Sequence, residues 1–187
     1  MNFLDLLLIA VGLSMDAFSV AICKGLAEHD LKASQAGIVG LYFGLFQALM
    51  PIIGYFVGAQ FAHIIQDWDH WIAFGLLAFL GGRMVYEASH EEDCPIGGFD
   101  FKHMFPLAIA TSIDALAVGV TFSFLKINIW VSALEIGICT FLLSFLGTYI
   151  GNRFGQYAQK PAEISGGVIL ILIGLKILLE HLGILSW

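Results

Sequence analysis

Two aspartates, Asp16 and Asp114, each lie inside a run of apolar residues, in Ser14-Met15-Asp16-Ala17 and Ser112-Ile113-Asp114-Ala115. A carboxylate near a bilayer centre costs roughly 2.5–3.5 kcal/mol on insertion scales, so such residues usually face a protein interior or watery cavity and mark an ion or proton path. Two matched carboxylates with no Lys or Arg at mid-span leave a negative charge that one divalent cation would relieve. Hydroxyls at Ser14, Thr111 and Ser112, the amide of Gln47 and backbone carbonyls are candidates to complete an oxygen shell, with Met15 as a softer donor. Oxygen ligation suits Mg²⁺, Ca²⁺ or Mn²⁺ rather than copper or structural zinc. The same pair also has a structural reading, in which each aspartate hydrogen-bonds a neighbouring helix.

Those residues need a membrane-spanning scaffold. With 59% hydrophobic and 12% charged residues and a mean hydropathy of +0.88, the chain is an all-α integral membrane protein. Apolar runs near residues 3–26, 35–62, 70–88, 104–125, 128–151 and 163–182 are each of membrane-spanning length, which predicts six transmembrane helices. The first run is too long for a signal peptide and lacks a basic leader, so it is expected to remain as a helix.

An internal repeat organises the spans. A shift of 98 residues carries Ser14, Asp16, Ala17 and Val20 onto Ser112, Asp114, Ala115 and Val118. A shift of 93 carries Gly44, Gly54, Gly58 and Phe61 onto Gly137, Gly147, Gly151 and Phe154, and Gly81, Arg83 and Glu87 onto Gly174, Lys176 and Glu180. The chain therefore reads as two three-helix units, residues 1–90 and 104–187, joined by an acidic cytoplasmic linker at 91–103. An odd number of helices per unit inverts the second copy, as in many secondary transporters, and brings Asp16 and Asp114 together near the midplane. Lys24, Lys32, Arg83, Lys102, Arg153 and Lys160 fall in or beside the odd connections, against Lys126 and Lys176 toward the other side. That bias puts the odd loops in the cytoplasm and both termini outside.

Other features carry less. Glu135, in the fifth span, matches Tyr42 in the first unit; it is expected to be a proton-coupling group, an extra ligand or a boundary carboxylate. Glu87 and Glu180 each follow a basic residue by one turn, which local pairing explains. The run His90-Glu91-Glu92-Asp93-Cys94 and the loop around His63, Asp67, Asp69 and His70 read as solvated surface segments. Cys23, Cys94 and Cys139 form no CxxC and read as buried apolar side chains without a disulfide framework. Gly40/Gly44, Gly54/Gly58 and Gly147/Gly151 place small residues one turn apart for close helix packing, which also permits a homodimer. Pro51 is expected to kink the second span, and Pro106 to be tolerated near the start of the fourth. The charge of −7 argues against nucleic-acid binding, and the absence of GxxxxGK[ST] argues against a nucleotide site.

At these positions the chain resembles the MntP-type manganese efflux pumps of bacteria, small six-helix proteins related to the lysine-exporter superfamily. The resemblance rests on Ser14-Met15-Asp16-Ala17-Phe18, Lys24-Gly25, Trp71-Ile72-Ala73-Phe74, Leu80-Gly81-Gly82-Arg83-Met84 and Ala110-Thr111-Ser112-Ile113-Asp114-Ala115-Leu116-Ala117-Val118-Gly119, and covers essentially the whole length. It implies export of Mn²⁺ as substrate across the inner membrane, no cofactor, and two essential aspartates. The expected mechanism is alternating access driven by an ion gradient or the membrane potential. Two rivals are an intramembrane aspartyl protease, whose GxGD signature is absent, and a lysine-type amino-acid exporter, which should need a carboxylate-binding cation at mid-span.

Overall fold

The computed structural model describes residues 3–28, 30–65, 69–89, 98–154 and 159–182. These form seven helices among the described residues: α1 (Phe3–Leu26), α2 (Ala33–Ile65), α3 (Asp69–Ser89), α4 (Phe101–Ala110), α5 (Ile113–Phe124), α6 (Ile129–Phe154) and α7 (Gln159–His181). Helix is the expected outcome for long apolar runs in lipid, where every backbone N–H and C=O must find its partner within the segment. Three helices, α1, α2 and α6, are individually long and apolar enough to cross a membrane, and α4 with α5 makes a fourth such segment, bent by 41°. A shorter apolar stretch, Trp71–Tyr86, runs through α3.

The distribution of side chains fits a lipid surround. Leu41, Leu45, Leu49 and Ile53 project outward from α2 at intervals of four, as Leu134, Ile138, Leu142 and Leu146 do from α6. The opposite face of α6 turns Ser132, Thr140, Ser144 and Thr148 fully inward. Small and hydroxyl-bearing residues inside with leucines outside is the arrangement expected when lipid, rather than water, covers the helices. Three of these hydroxyls bond back to the preceding turn: Ser132 donates to Asn128 O, Thr140 to Ile136 O and Thr148 to Ser144 O.

Helices from the two ends of the chain interlock. α1 lies against α6 and α7, α2 against α5 and α6, and α3 against α7, whereas α1 and α2 barely touch. The close crossings use glycine. A Cβ at Gly54 would strike the Leu116 carbonyl and one at Gly58 the Val120 backbone, where α2 crosses α5. Where α6 crosses α1, Gly147 sits on Phe18 and Gly151 on the Ile22 carbonyl. These contacts correspond: shifts of 93 and 98 carry Gly54/Leu116 to Gly147/Phe18 and Gly58/Val120 to Gly151/Ile22. α2 runs through Pro51 as one helix, and the Pro51 carbonyl abuts Gly119 of α5.

Two sequence expectations need correction. The fourth span, expected to run unbroken over 104–125, starts at Phe101, inside the predicted linker, and breaks at Thr111–Ser112. There Ser112 N–H turns to Ile109 O, and Ala115 N–H donates to Asp114 Oδ1. Short polar side chains that capture backbone groups in this way compete with the helix ladder. The second correction concerns cysteine: Cys23 is disulfide-bonded, while Cys139 is a free thiol. The acidic run from His90 and the side chains of His63, Asp67, Asp69, His70 and Glu87 lie outside the description.

Both ends of α1 are held by polar contacts. At its C-terminus Asn152 Nδ2 donates to the carbonyls of Gly25 (3.3 Å) and Glu28 (2.6 Å), and the buried Lys24 reaches Gly98 O at 3.4 Å. Beyond it, a hydrogen bond from His103, 2.5 Å away, holds the Asp100 carboxyl below its ordinary range. Near the N-terminus the mostly buried Asp5 pairs with Lys176 of α7 at 2.5 Å, and Lys176 also lies 3.7 Å from Glu180. Lys176→Met is expected to destabilise the protein by about 1–3 kcal/mol by stranding the Asp5 carboxylate. Adding Asp5→Asn should recover most of that loss in thermal unfolding; additive losses would show that the pair contributes nothing.

Candidate functional site

The helix break is the centre of the candidate site. Ending α4 at Ala110 frees carbonyls that a continuous helix would have used, and a helix C-terminus carries partial negative charge that favours a cation. Asp114 follows in the first turn of α5, 5% exposed, with Oδ1 held by Ala115 N–H at 2.9 Å. Its Oδ2 is buried without a partner. Asp16 lies mid-helix in the unbroken α1, partly buried, and its charge acts on Asp114 together with that of Arg83.

Gln47 ties the break to α1. From α2, fully buried, its Nε2 donates to Leu13 O at 3.0 Å and to Thr111 O at 3.1 Å. Those carbonyls belong to residues related by the 98-residue shift, each immediately preceding the Ser of an aspartate motif. Both amide protons are used, whereas the acceptor Oε1 has no partner, and Ser112 Oγ at the break also has none. Three buried oxygens, Gln47 Oε1, Ser112 Oγ and Asp114 Oδ2, are thus unsatisfied. An acceptor left in this state costs about 1–3 kcal/mol, which a bound cation would return.

The remaining sequence candidates are more occupied. Thr111 Oγ1 bonds back to Leu107 O (3.0 Å) and Ala108 O (3.4 Å). Ser14 Oγ lies 2.6 Å from Ala10 O and 2.7 Å from Thr140 Oγ1, with the Cys139 thiol also in hydrogen-bonding contact. Met15 packs against Gly166 of α7. Glu135, one turn before Cys139 on α6, acts electrostatically on that thiol and has a buried, unpartnered Oε1. Among the described residues no group of three or more His, Cys, Asp or Glu side chains gathers as a metal cluster, so Glu135 does not join the two aspartates in one.

Sequence reasoning missed Thr140 and the Leu13 carbonyl. Thr140 was within reach, because the 93-residue shift carries Gln47 onto it. The role of Leu13 lies in its backbone, which side-chain identity does not signal.

The comparisons with known proteins agree with one another. Residues 30–178 match the family Mntp, described as "Putative manganese efflux pump". A protein of Bifidobacterium adolescentis with the name "Putative manganese efflux pump MntP" is 54% identical over 186 residues, covering 98% of this chain and 99% of its own. Proteins of the same name from Desulfitobacterium hafniense (55% identical over 186 residues; 100% and 99% covered) and Acetivibrio thermocellus (52% over 193; 100% and 96%) are similar throughout. No solved structure matches.

Proposed function

Since this chain belongs to the Mntp family, a family of transporters rather than enzymes, we propose that it exports Mn²⁺ from the cytoplasm through a site between Asp16 and Asp114. The observation that carries this reading is the set of unpartnered buried oxygens at the helix break, Gln47 Oε1, Ser112 Oγ and Asp114 Oδ2, beside the second carboxylate of Asp16. Two carboxylates with neutral amide, hydroxyl and carbonyl oxygens make a hard donor set suited to a divalent ion of this kind. Ser14 and Thr111 contribute by fixing the backbone around the aspartates, and their oxygens retain lone pairs for the ion.

The architecture that serves this function is six transmembrane segments in two inverted repeats, residues 1–90 and 104–187, with α4 and α5 forming one broken span. The correspondence between the α2–α5 and α6–α1 glycine crossings supports the repeat, and the basic residues support cytoplasmic odd loops with both termini outside the inner membrane. Export then proceeds by alternating access, the two halves rocking about a site at the broken helix, a placement common among secondary transporters. Glu135, apart from the metal oxygens, is the group for a counter-moving proton. Efflux from everted vesicles that ignores an imposed pH gradient would remove that role.

The test in cells is metal content under manganese load. Cells making the parent chain should hold less Mn than cells making Asp16→Asn or Asp114→Asn at equal membrane abundance. Equal metal in all three would exclude export through this pair.

A further inference from the structure

We infer that the Gln47 amide is a two-pronged latch whose bonds to Leu13 O and Thr111 O must be made and released for each transport cycle, a role distinct from donating Oε1 to the ion. The inference rests on the exporter reading above.

The geometry carries it in three steps. First, one –NH₂ group spans carbonyls on two separate elements, α1 and the α4–α5 break, from a third, α2. Leu13 and Gln47 lie in the first three-helix unit and Thr111 in the second, so motion of one unit against the other must stretch at least the Gln47–Thr111 bond. Second, the Thr111 carbonyl has a particular need of this donor. Its ordinary partner, the amide one turn on, is Ala115 N–H, and that amide is turned to Asp114 Oδ1. Asp114 therefore opens the helix and Gln47 caps the carbonyl that opening exposes, which couples the carboxylate to the latch. Third, the side chain is fully buried, so water cannot replace either bond while this conformation lasts. Two buried hydrogen bonds bias a two-state equilibrium by about tenfold or more. That is enough to set which arrangement of the halves predominates, yet small enough to be reversed in each cycle.

Gln47→Glu separates the two roles. It keeps side-chain length and a carboxyl oxygen for the ion, but with Mn²⁺ bound the carboxylate is ionised, has no proton for either carbonyl and is repelled by both. In proteoliposomes at saturating Mn²⁺, the latch predicts a maximal efflux rate lowered at least about tenfold with a Kd for Mn²⁺ within about threefold of the parent's in either direction, and slowing that tracks a tighter Kd overturns it. Parental efflux in Gln47→Glu overturns the latch. If this variant does not fold, Gln47→Met, neutral and of similar volume, replaces it. Because this variant also removes Oε1, it is read at saturating Mn²⁺: a maximal efflux rate per Mn²⁺-binding site lowered at least about tenfold supports the latch, and a parental maximal rate, whatever the Kd, overturns it. A residue that only stabilised the fold would reduce the number of active sites without changing turnover per Mn²⁺-binding site. Failure of the exporter reading itself would appear separately, as Asp16→Asn and Asp114→Asn variants that transport normally.

Discussion

Asp114→Asn is expected to give a folded protein whose Mn²⁺ affinity is lowered at least about a hundredfold. Asparagine retains an Oδ1 that can accept the Ala115 N–H bond, so the helix break survives the substitution. What is lost is the charge. A unit charge pair 4 Å apart at an effective dielectric of 20 is worth about 4 kcal/mol, and a divalent ion doubles the attraction. Part of this is returned because the variant no longer holds two like charges near each other, which leaves a net loss of at least about 3 kcal/mol. The same relief of repulsion gives the experiment its discriminating power: without metal, the variant should be as thermally stable as the parent or more so, since a buried carboxylate has been made neutral. Calorimetric titration with Mn²⁺ and thermal unfolding of the same samples measure both quantities. Parental affinity would remove Asp114 from the ion site, and weak binding accompanied by marked instability would assign it a structural role. Asp16→Asn should act in the same direction with a smaller loss of affinity, because Asp16 is partly exposed and water screens its charge.

Gly151→Ala and Gly54→Ala should each reduce folded protein in the membrane by about tenfold or more. A single added methyl would overlap the Ile22 carbonyl of α1 in the first case and the Leu116 carbonyl of α5 in the second. Overpacking ordinarily costs about 1–3 kcal/mol, and here the opposing atom is main chain, so relief requires moving a whole helix rather than rotating a side chain. Gly37, Gly75 and Gly82 provide the control, since nothing lies within 4 Å of a Cβ built at any of them. At those positions alanine should be neutral or stabilising by about 1 kcal/mol through its greater helix propensity. Folded yield read by fluorescence-detected size exclusion checks the contrast; equal yields across all five variants would refute the close crossings at Gly54 and Gly151.

Much of this was legible in the sequence, because lipid simplifies the rules. The apolar runs predicted α1, α2, α3, α6 and α7 to within a few residues at each end. The repeat shift singled out the glycines that mark the crossings, and polar residues inside apolar runs drew attention to Asp16, Asp114 and Gln47. The helix break was not legible, since Ala110-Thr111-Ser112-Ile113 has the composition of a continuous span. Its mate in α1, around Leu13 and Ser14, does continue as helix despite the shared Ser-x-Asp-Ala pattern. The difference lies in where backbone groups find partners, with Ala115 N–H going to Asp114 and Thr111 O to Gln47, and such long-range competition leaves no periodic trace. The Cys23 disulfide had no spacing signal, because neither cysteine spacing nor apolar context distinguishes it from the free thiol at Cys139.

The central claim is that Mn²⁺ crosses the membrane through a site formed by both aspartates, and flux of radiolabelled Mn²⁺ in liposomes containing only the purified chain tests it most directly. The account predicts movement of label above that of empty liposomes for the parent and none for Asp16→Asn/Asp114→Asn. Label moved by the double variant at the parental rate would contradict it.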